Sequence, residues 1–71
     1  MKTLNVFVVQ PYECQLMEKT LNTFRIGLND WDRSKIFNVN GRDVVTYMVL
    51  CDEDTHTSIK NVIRESRQRE S

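Results

Sequence analysis

Residues 44–50, with the sequence VVTYMVL, constrain the fold of this chain more than any other stretch. They follow Asn40 and Gly41, the dipeptide most favoured in two-residue turns, so the pattern predicts the second strand of a β-hairpin. Side chains along a strand point alternately to opposite faces, and a strand with one wet face alternates apolar and polar residues. This stretch is apolar on both faces, which raises the question of what covers the second one.

Two further strands are predicted around this one. Residues 4–10 (LNVFVVQ) are rich in β-branched and aromatic residues and stop before Pro11, which indicates a first strand. Residues 34–39 (SKIFNV) form the other arm of the hairpin. A tight turn would pair Val39 with Arg42, Phe37 with Val44, and Lys35 with Thr46.

Two segments have the period of a helix. From Tyr12 onward an apolar stripe predicts a helix that ends near Gly27, with Cys14, Met17, Leu21, Phe24 and Leu28 on one side. After a loop at residues 29–32, a second helix is predicted with Asp54 or Thr55 as its cap and a stripe of Ile59, Val62, Ile63 and Ser66. The tail, about residues 67–71, is expected to fray.

The order β-α-β-β-α in 71 residues describes a single domain, residues 1–71. Compact, right-handed connections favour a three-stranded antiparallel sheet with the third strand in the middle and both helices on one face. This small α+β layout resembles ferredoxin-like domains without their last strand, in topology only. In the alternative arrangement each helix covers a different face, which would give a self-contained monomer.

The arrangement with both helices on one face predicts that the other face of the sheet is exposed. On the first strand Leu4, Val6 and Val8 are all apolar, whereas Asn5 interrupts the opposite set, so the former are expected under the helices. With them we expect Phe37, Val39, Val44, Met48 and Leu50. The exposed face would then present Phe7, Val9, Ile36, Val45, Tyr47 and Val49.

An exposed apolar face and an unpaired strand edge both favour a protein that binds proteins. Soluble monomers seldom expose a large apolar patch, and free strand edges are templates for strand addition. The predicted contact residues are Phe7, Val9, Ile36, Val45, Tyr47 and Val49, together with Trp31 in the loop. Trp31 is either an exposed binding anchor or a lid over the core. The expected partner is another protein or a second copy of the chain, as a homodimer.

No established catalytic or cofactor-binding pattern occurs in the sequence, so an enzyme, a cofactor and a metal site are not expected. The segment from Cys51 to His56 holds a thiol, three carboxylates and the single histidine, but their spacing matches no known ligand pattern. Capping of the second helix explains its acidic residues equally well. Cys14 and Cys51 are expected to be small core residues in the reduced state, as in a cytoplasmic protein.

Ten basic and ten acidic residues balance, which disfavours a protein specialised for gripping phosphate backbones. Nucleic-acid binding remains the main alternative, with Phe7 and Tyr47 stacking on bases and Lys60, Arg64, Arg67 and Arg69 contacting phosphates. The preferred prediction is a small regulatory or inhibitory protein that acts by steric block or strand addition. Chains of this kind are common among the host-modulating proteins of viruses and mobile elements.

Overall fold

The computed structural model describes residues 1–69, and it confirms a small α+β domain. The elements are β1 (Thr3–Val9), a short 3-10 helix (Pro11–Glu13), α1 (Cys14–Thr23), β2 (Trp31–Arg33), β3 (Phe37–Val39), β4 (Arg42–Cys51) and α2 (Glu53–Arg69). The sheet is antiparallel, with β4 between β1 on one side and β2 and β3 on the other. Apolar residues of both helices join one core with β1 and β4, so the helices lie on one face.

The sheet has four strands instead of the predicted three, because the first arm of the hairpin is broken by a β-bulge. Arg33 faces Tyr47 and Phe37 faces Val44, so this arm has one residue more than the β4 segment that it faces. Within the bulge the Ser34 N–H donates to the Thr46 carbonyl at 2.8 Å. The Thr46 N–H in turn donates to Ser34 Oγ at 2.9 Å, so the side chain replaces a missing backbone acceptor.

The hairpin turn itself is the predicted one. Asn40 and Gly41 both adopt positive φ, 53° and 83°, as a type I′ turn requires. The predicted pairs of Val39 with Arg42 and Phe37 with Val44 are present. The predicted pairing of Lys35 with Thr46 is wrong, because the bulge shifts the register beyond Phe37.

Helix α1 ends at Thr23, earlier than the predicted end near Gly27. Arg25 takes the left-handed conformation, with φ 59°, and its N–H donates to the Asn22 carbonyl. The Ile26 N–H donates to the Leu21 carbonyl, which completes a Schellman motif without a glycine. Leu28, which the apolar stripe included, is therefore outside the helix and 81% exposed.

The cap of helix α2 lies two residues before Asp54 and three before Thr55, the two predicted caps. Asp52 is the capping residue, because its Oδ1 accepts the Thr55 N–H at 2.8 Å and its carbonyl accepts the His56 N–H. The predicted caps, Asp54 and Thr55, lie inside the helix. Residues 67–69 of the predicted frayed tail are helical, and residues 70 and 71 lie outside the described residues.

The two faces of the sheet are the reverse of the prediction. Phe7, Val9, Val45, Tyr47 and Val49 lie in the core against Met17, Leu21, Ile59 and Ile63 of the helices. The set predicted to be buried is instead exposed, including Leu4, Val6 and Val8, except for Val44, which is half-buried. Asn5, which suggested a wet face, is at the margin of the core, where its Nδ2 donates to the carbonyls of Thr3 and Cys51 at 3.1 and 3.4 Å.

Candidate protein-binding surface

The face of the sheet that points away from the helices carries a group of apolar side chains. Directly opposed residues of an antiparallel pair share a face, and the pairs on this one include Leu4 with Leu50 and Val6 with Met48. Beyond the bulge Phe37 faces Val44 on the same side. We call this surface the open face, and it comprises Leu4, Val6, Val8, Phe37, Val39, Met48 and Leu50.

Every residue of the open face is substantially exposed, from 37% for Leu50 to 64% for Leu4. The strands place Val6 beside Met48, and Met48 also faces Asp32 of β2. A shallow depression of about 270 Å³ lies at one end, lined by Leu4, Met48, Leu50 and residues 29–32. The open face is therefore an apolar area that is interrupted by Thr46, opposite Val8, and bordered by the charged residues Asp32 and Arg42.

The contact residues predicted from the sequence are mostly in the wrong place. Burial excludes Phe7, Val9, Val45, Tyr47 and Val49 from any surface, since none is more than 7% exposed. Ile36 is 55% exposed, but it belongs to the bulge and not to a strand. Trp31 is partly buried and packs against the core, as expected for a lid.

Tyr47 is a structural residue at the centre of the core. Its hydroxyl donates to Glu18 Oε2 at 2.7 Å, and its ring lies 5.7 Å from that of Trp31. Burial raises the pKa of the Tyr47 phenol well above its ordinary value, and the hydrogen bond to Glu18 adds to this effect. The same Glu18 oxygen accepts a hydrogen bond from Arg33 Nη1 at 2.9 Å, which ties β2 to α1.

An ion pair between the buried Glu13 carboxylate and the half-exposed Arg67 side chain fastens the end of α2 to the start of α1. Glu13 is 2% exposed, and its Oε2 accepts a hydrogen bond from Arg67 Nε at 2.8 Å. Burial would raise the pKa of Glu13, but hydrogen bonds from Arg67 and the Gln10 N–H, with the charge of Arg67, outweigh it and lower the pKa below its ordinary value. Arg67 Nη2 also donates to the Val8 carbonyl at 3.3 Å.

The thiols and the histidine are engaged in packing. Cys14 and Cys51 are both free and buried, and burial raises the pKa of the Cys51 thiol despite a hydrogen bond from Asn5. The His56 ring stands edge-on to Phe7, with ring centroids 5.1 Å apart. Among residues 1–69 no three His, Cys, Asp or Glu side chains are grouped so that they could hold a metal ion.

The basic residues of α2 are divided between its two sides. Lys60, Arg64 and Arg67 line a groove between α2 and β1, whereas Arg69 lies on the other side with Glu65. Phe7 and Tyr47 are 7% and 0% exposed, so the prediction that they stack on bases is wrong. The positive side chains therefore lie apart from any exposed aromatic platform on the sheet.

No family model matches the chain, and neither a curated protein nor a solved structure is significantly similar to it. Over residues 1–69, none of the helices has the length and apolar character needed to cross a membrane.

Proposed function

We propose that this protein is a non-enzymatic regulator that acts by binding another protein through the open face of its sheet. One observation carries the proposal: apolar side chains from three strands share a single face and are all substantially exposed. Contiguous apolar patches on small domains are typical of interaction surfaces. The side chains of this face stand on a rigid sheet, so little conformational entropy is lost when they are covered.

The expected gain from covering the open face is large enough for a specific complex. Full burial of a Val, Leu, Phe or Met side chain is worth about 1.5–3 kcal/mol, so burying the remaining exposed half of each contributes roughly 1 kcal/mol. Several such side chains offset much of the free energy lost when two molecules become one. A partner with an apolar surface of its own, including a second copy of this chain, fits this requirement.

Inhibition would follow directly from this kind of binding, because a small domain that covers a partner's surface excludes that partner's other ligands. The two cysteines are free and buried, which suits the reducing cytoplasm where we place this activity. Such a role is also consistent with a host-modulating protein of a virus or mobile element.

The test compares lysine substitutions on and off the open face. Leu4→Lys and Met48→Lys introduce a charge into it, and Leu28→Lys makes the same change at an exposed leucine in the loop between α1 and β2. Each variant is first checked for native circular dichroism, and its association is then measured by sedimentation equilibrium over a concentration series.

We expect self-association of the wild type that Leu4→Lys and Met48→Lys abolish and Leu28→Lys preserves. A monomeric wild type would exclude the second copy as partner, and the same variants would then be compared in cross-linked capture of other proteins. Equal behaviour of all three variants in both experiments would refute the proposal.

A further inference from the structure

The outer edge of β1 has backbone groups that point away from the sheet. On β4, the Thr46 carbonyl accepts the Ser34 N–H and the Leu50 N–H donates to the Asp30 carbonyl. Thr46 and Leu50 therefore direct their backbone groups away from β1. In an antiparallel pair the opposing residues then form non-hydrogen-bonded pairs. Leu4, Val6 and Val8 of β1 therefore direct their N–H and C=O groups outward.

This edge is almost unoccupied within residues 1–69. Arg67 Nη2 donates to the Val8 carbonyl at 3.3 Å, which confirms that this carbonyl points outward. Within residues 1–69 no protein group forms a hydrogen bond with the outward N–H and C=O groups of Leu4 and Val6, or with the N–H of Val8. Such an edge accepts a further strand readily, because a new ladder replaces bonds to water with bonds to peptide.

Helix α2 runs beside this edge and forms a groove of about 410 Å³ with it. Residues 6–9 line the strand side of the groove, and Ile63 contributes to the helix side. All the titratable groups that line the groove come from the helix, and they are His56, Lys60, Arg64 and Arg67. None of these is acidic. Glu65, in contrast, lines the other side of α2 with Leu16 and Val62.

Two of these basic side chains are available for a ligand. The charge of Arg67 is already balanced by the buried carboxylate of Glu13. Lys60 and Arg64 are exposed and make no ion pair within residues 1–69. The groove of a chain with zero formal net charge is thus locally positive, and it complements an acidic ligand.

The spacing of the basic side chains along α2 is close to the spacing of alternate side chains along an extended peptide. Lys60 and Arg64 are one helical turn apart, which is about 6 Å along the axis at 1.5 Å per residue. Alternate side chains of a strand are about 6.7 Å apart. A strand added to β1 would direct every second side chain toward α2, and those between would extend the open face beside Leu4, Val6 and Val8.

We propose that the groove between β1 and α2 binds an extended segment of a partner protein in which acidic and apolar residues alternate. The segment adds to the sheet as a strand on β1, with its carboxylates on Lys60 and Arg64 and its apolar side chains on the open-face side. The inference rests on the proposed function, since it specifies the chemistry of one partner segment next to the open face.

A second copy of the chain fits this groove poorly. Pairing β1 with another β1 would direct Asn5 and Phe7, and no carboxylate, toward the partner's α2. It would also bring Lys60 and Arg64 of both copies together, and like charges at such a distance repel. The positive groove therefore favours a chain of opposite charge.

The probe is a fluorescent, end-capped peptide of about eight residues in which glutamate and valine alternate, long enough to span β1. Its binding is measured by fluorescence anisotropy at low and at physiological ionic strength. We expect saturable binding that Lys60→Glu/Arg64→Glu weakens by about tenfold or more. The matched control, Lys19→Glu/Arg69→Glu, makes the same change in net charge at exposed positions outside the groove and should change affinity less than about twofold.

Two modified peptides test for strand addition. One has the same composition with the glutamates and valines in separate blocks, and the other carries N-methyl groups that remove its backbone donors toward β1. Both should bind at least about tenfold more weakly than the alternating peptide. Equal binding of either one, or an equal effect of the control variant, would overturn the proposal.

A single-stranded oligonucleotide is tested in the same assay. If it bound more tightly than the peptide and with the same dependence on Lys60 and Arg64, the groove would belong to a nucleic acid and the peptide assignment would be wrong. Leu28→Lys, in the loop between α1 and β2 and outside both the groove and the open face, should leave peptide binding intact. If the peptide did not bind but Met48→Lys still abolished self-association, this inference would be rejected and the proposed function would stand.

Discussion

Arg67→Met tests whether the ion pair with the buried Glu13 carboxylate stabilises the domain. The change keeps most of the alkyl chain but leaves a carboxylate that is 2% exposed with only the Gln10 N–H as a partner, at 2.8 Å. Removing one member of a fully buried pair costs about 3–5 kcal/mol. Since half of the Arg67 side chain is in solvent, we reduce this figure to about 2 kcal/mol.

A loss of that size is large for a chain of 71 residues, whose total stability is roughly 4–11 kcal/mol. It corresponds to a fall in Tm of about 8–16 °C, measured by circular dichroism. The matched control is Arg33→Met, which breaks the pair with Glu18 at a similar distance of 2.9 Å. Both partners of that pair are about two-fifths exposed, so water screens them and the loss should be much smaller.

The pH dependence gives a second measure of the same pair. In the wild type the pKa of Glu13 is lowered in the folded state, so its contribution to stability is present above about pH 4.5 and lost as the pH falls through the folded pKa. Without Arg67, burial raises the pKa of Glu13. Acidification then protonates the carboxylate and removes the cost of an unpaired buried charge. The difference in Tm between wild type and Arg67→Met should therefore narrow from about pH 7 to about pH 4. Equal losses for Arg67→Met and Arg33→Met, or a difference independent of pH, would refute this reasoning.

Two further predictions concern the core and the hairpin turn. Tyr47→Phe removes the hydrogen bond to Glu18 and should lower the free energy of unfolding by about 1–2 kcal/mol in urea titrations, and an unchanged midpoint would show that this bond contributes nothing. Gly41→Ala places a residue with a Cβ in the left-handed region at φ 83° and should cost about 1 kcal/mol. Gly27→Ala, with open space at the position of the added Cβ and no positive φ, should be neutral or slightly stabilising. Equal thermal shifts for the two alanine variants would contradict the turn assignment.

The sequence was sufficient for β1, β4, the two helices, the central position of the long strand and the I′ turn, because each depends on local signals. It was not sufficient for β2, since Trp31 and Asp32 were predicted to lie in a loop. Asn40-Gly41 specifies its turn chemistry almost alone, and the apolar stripe of α1 has a clear helical period. The bulge was not predictable, since the Ser34 side chain that stabilises it accepts a hydrogen bond from a backbone group distant in sequence. The end of α1 was missed because Arg25, and not a glycine, takes the left-handed position.

The face of the sheet could not be assigned from β1 alone, because both of its sides are largely apolar. Asn5 decided the prediction, yet its amide is satisfied at the margin of the core by Thr3 and Cys51. The hydroxyl of Tyr47 was the better signal of which face is buried. A buried tyrosine hydroxyl needs a hydrogen-bond partner, and Glu18 lies on the helix that packs above it. An exposed apolar face was the right expectation with the wrong residues.

The position of β1 beside β4 has a consequence for how the chain folds. Thr3 pairs with Cys51, so the first strand finds its neighbour only after almost the whole sheet has been synthesised. The β3–β4 hairpin closes locally, on a timescale of about 1–10 μs, whereas pairing of β1 must wait for a long loop to close. Until then an apolar strand with both edges unpaired is exposed to other chains. We therefore expect the docking of the N-terminal strand to be the slow step of folding and the moment of greatest aggregation risk.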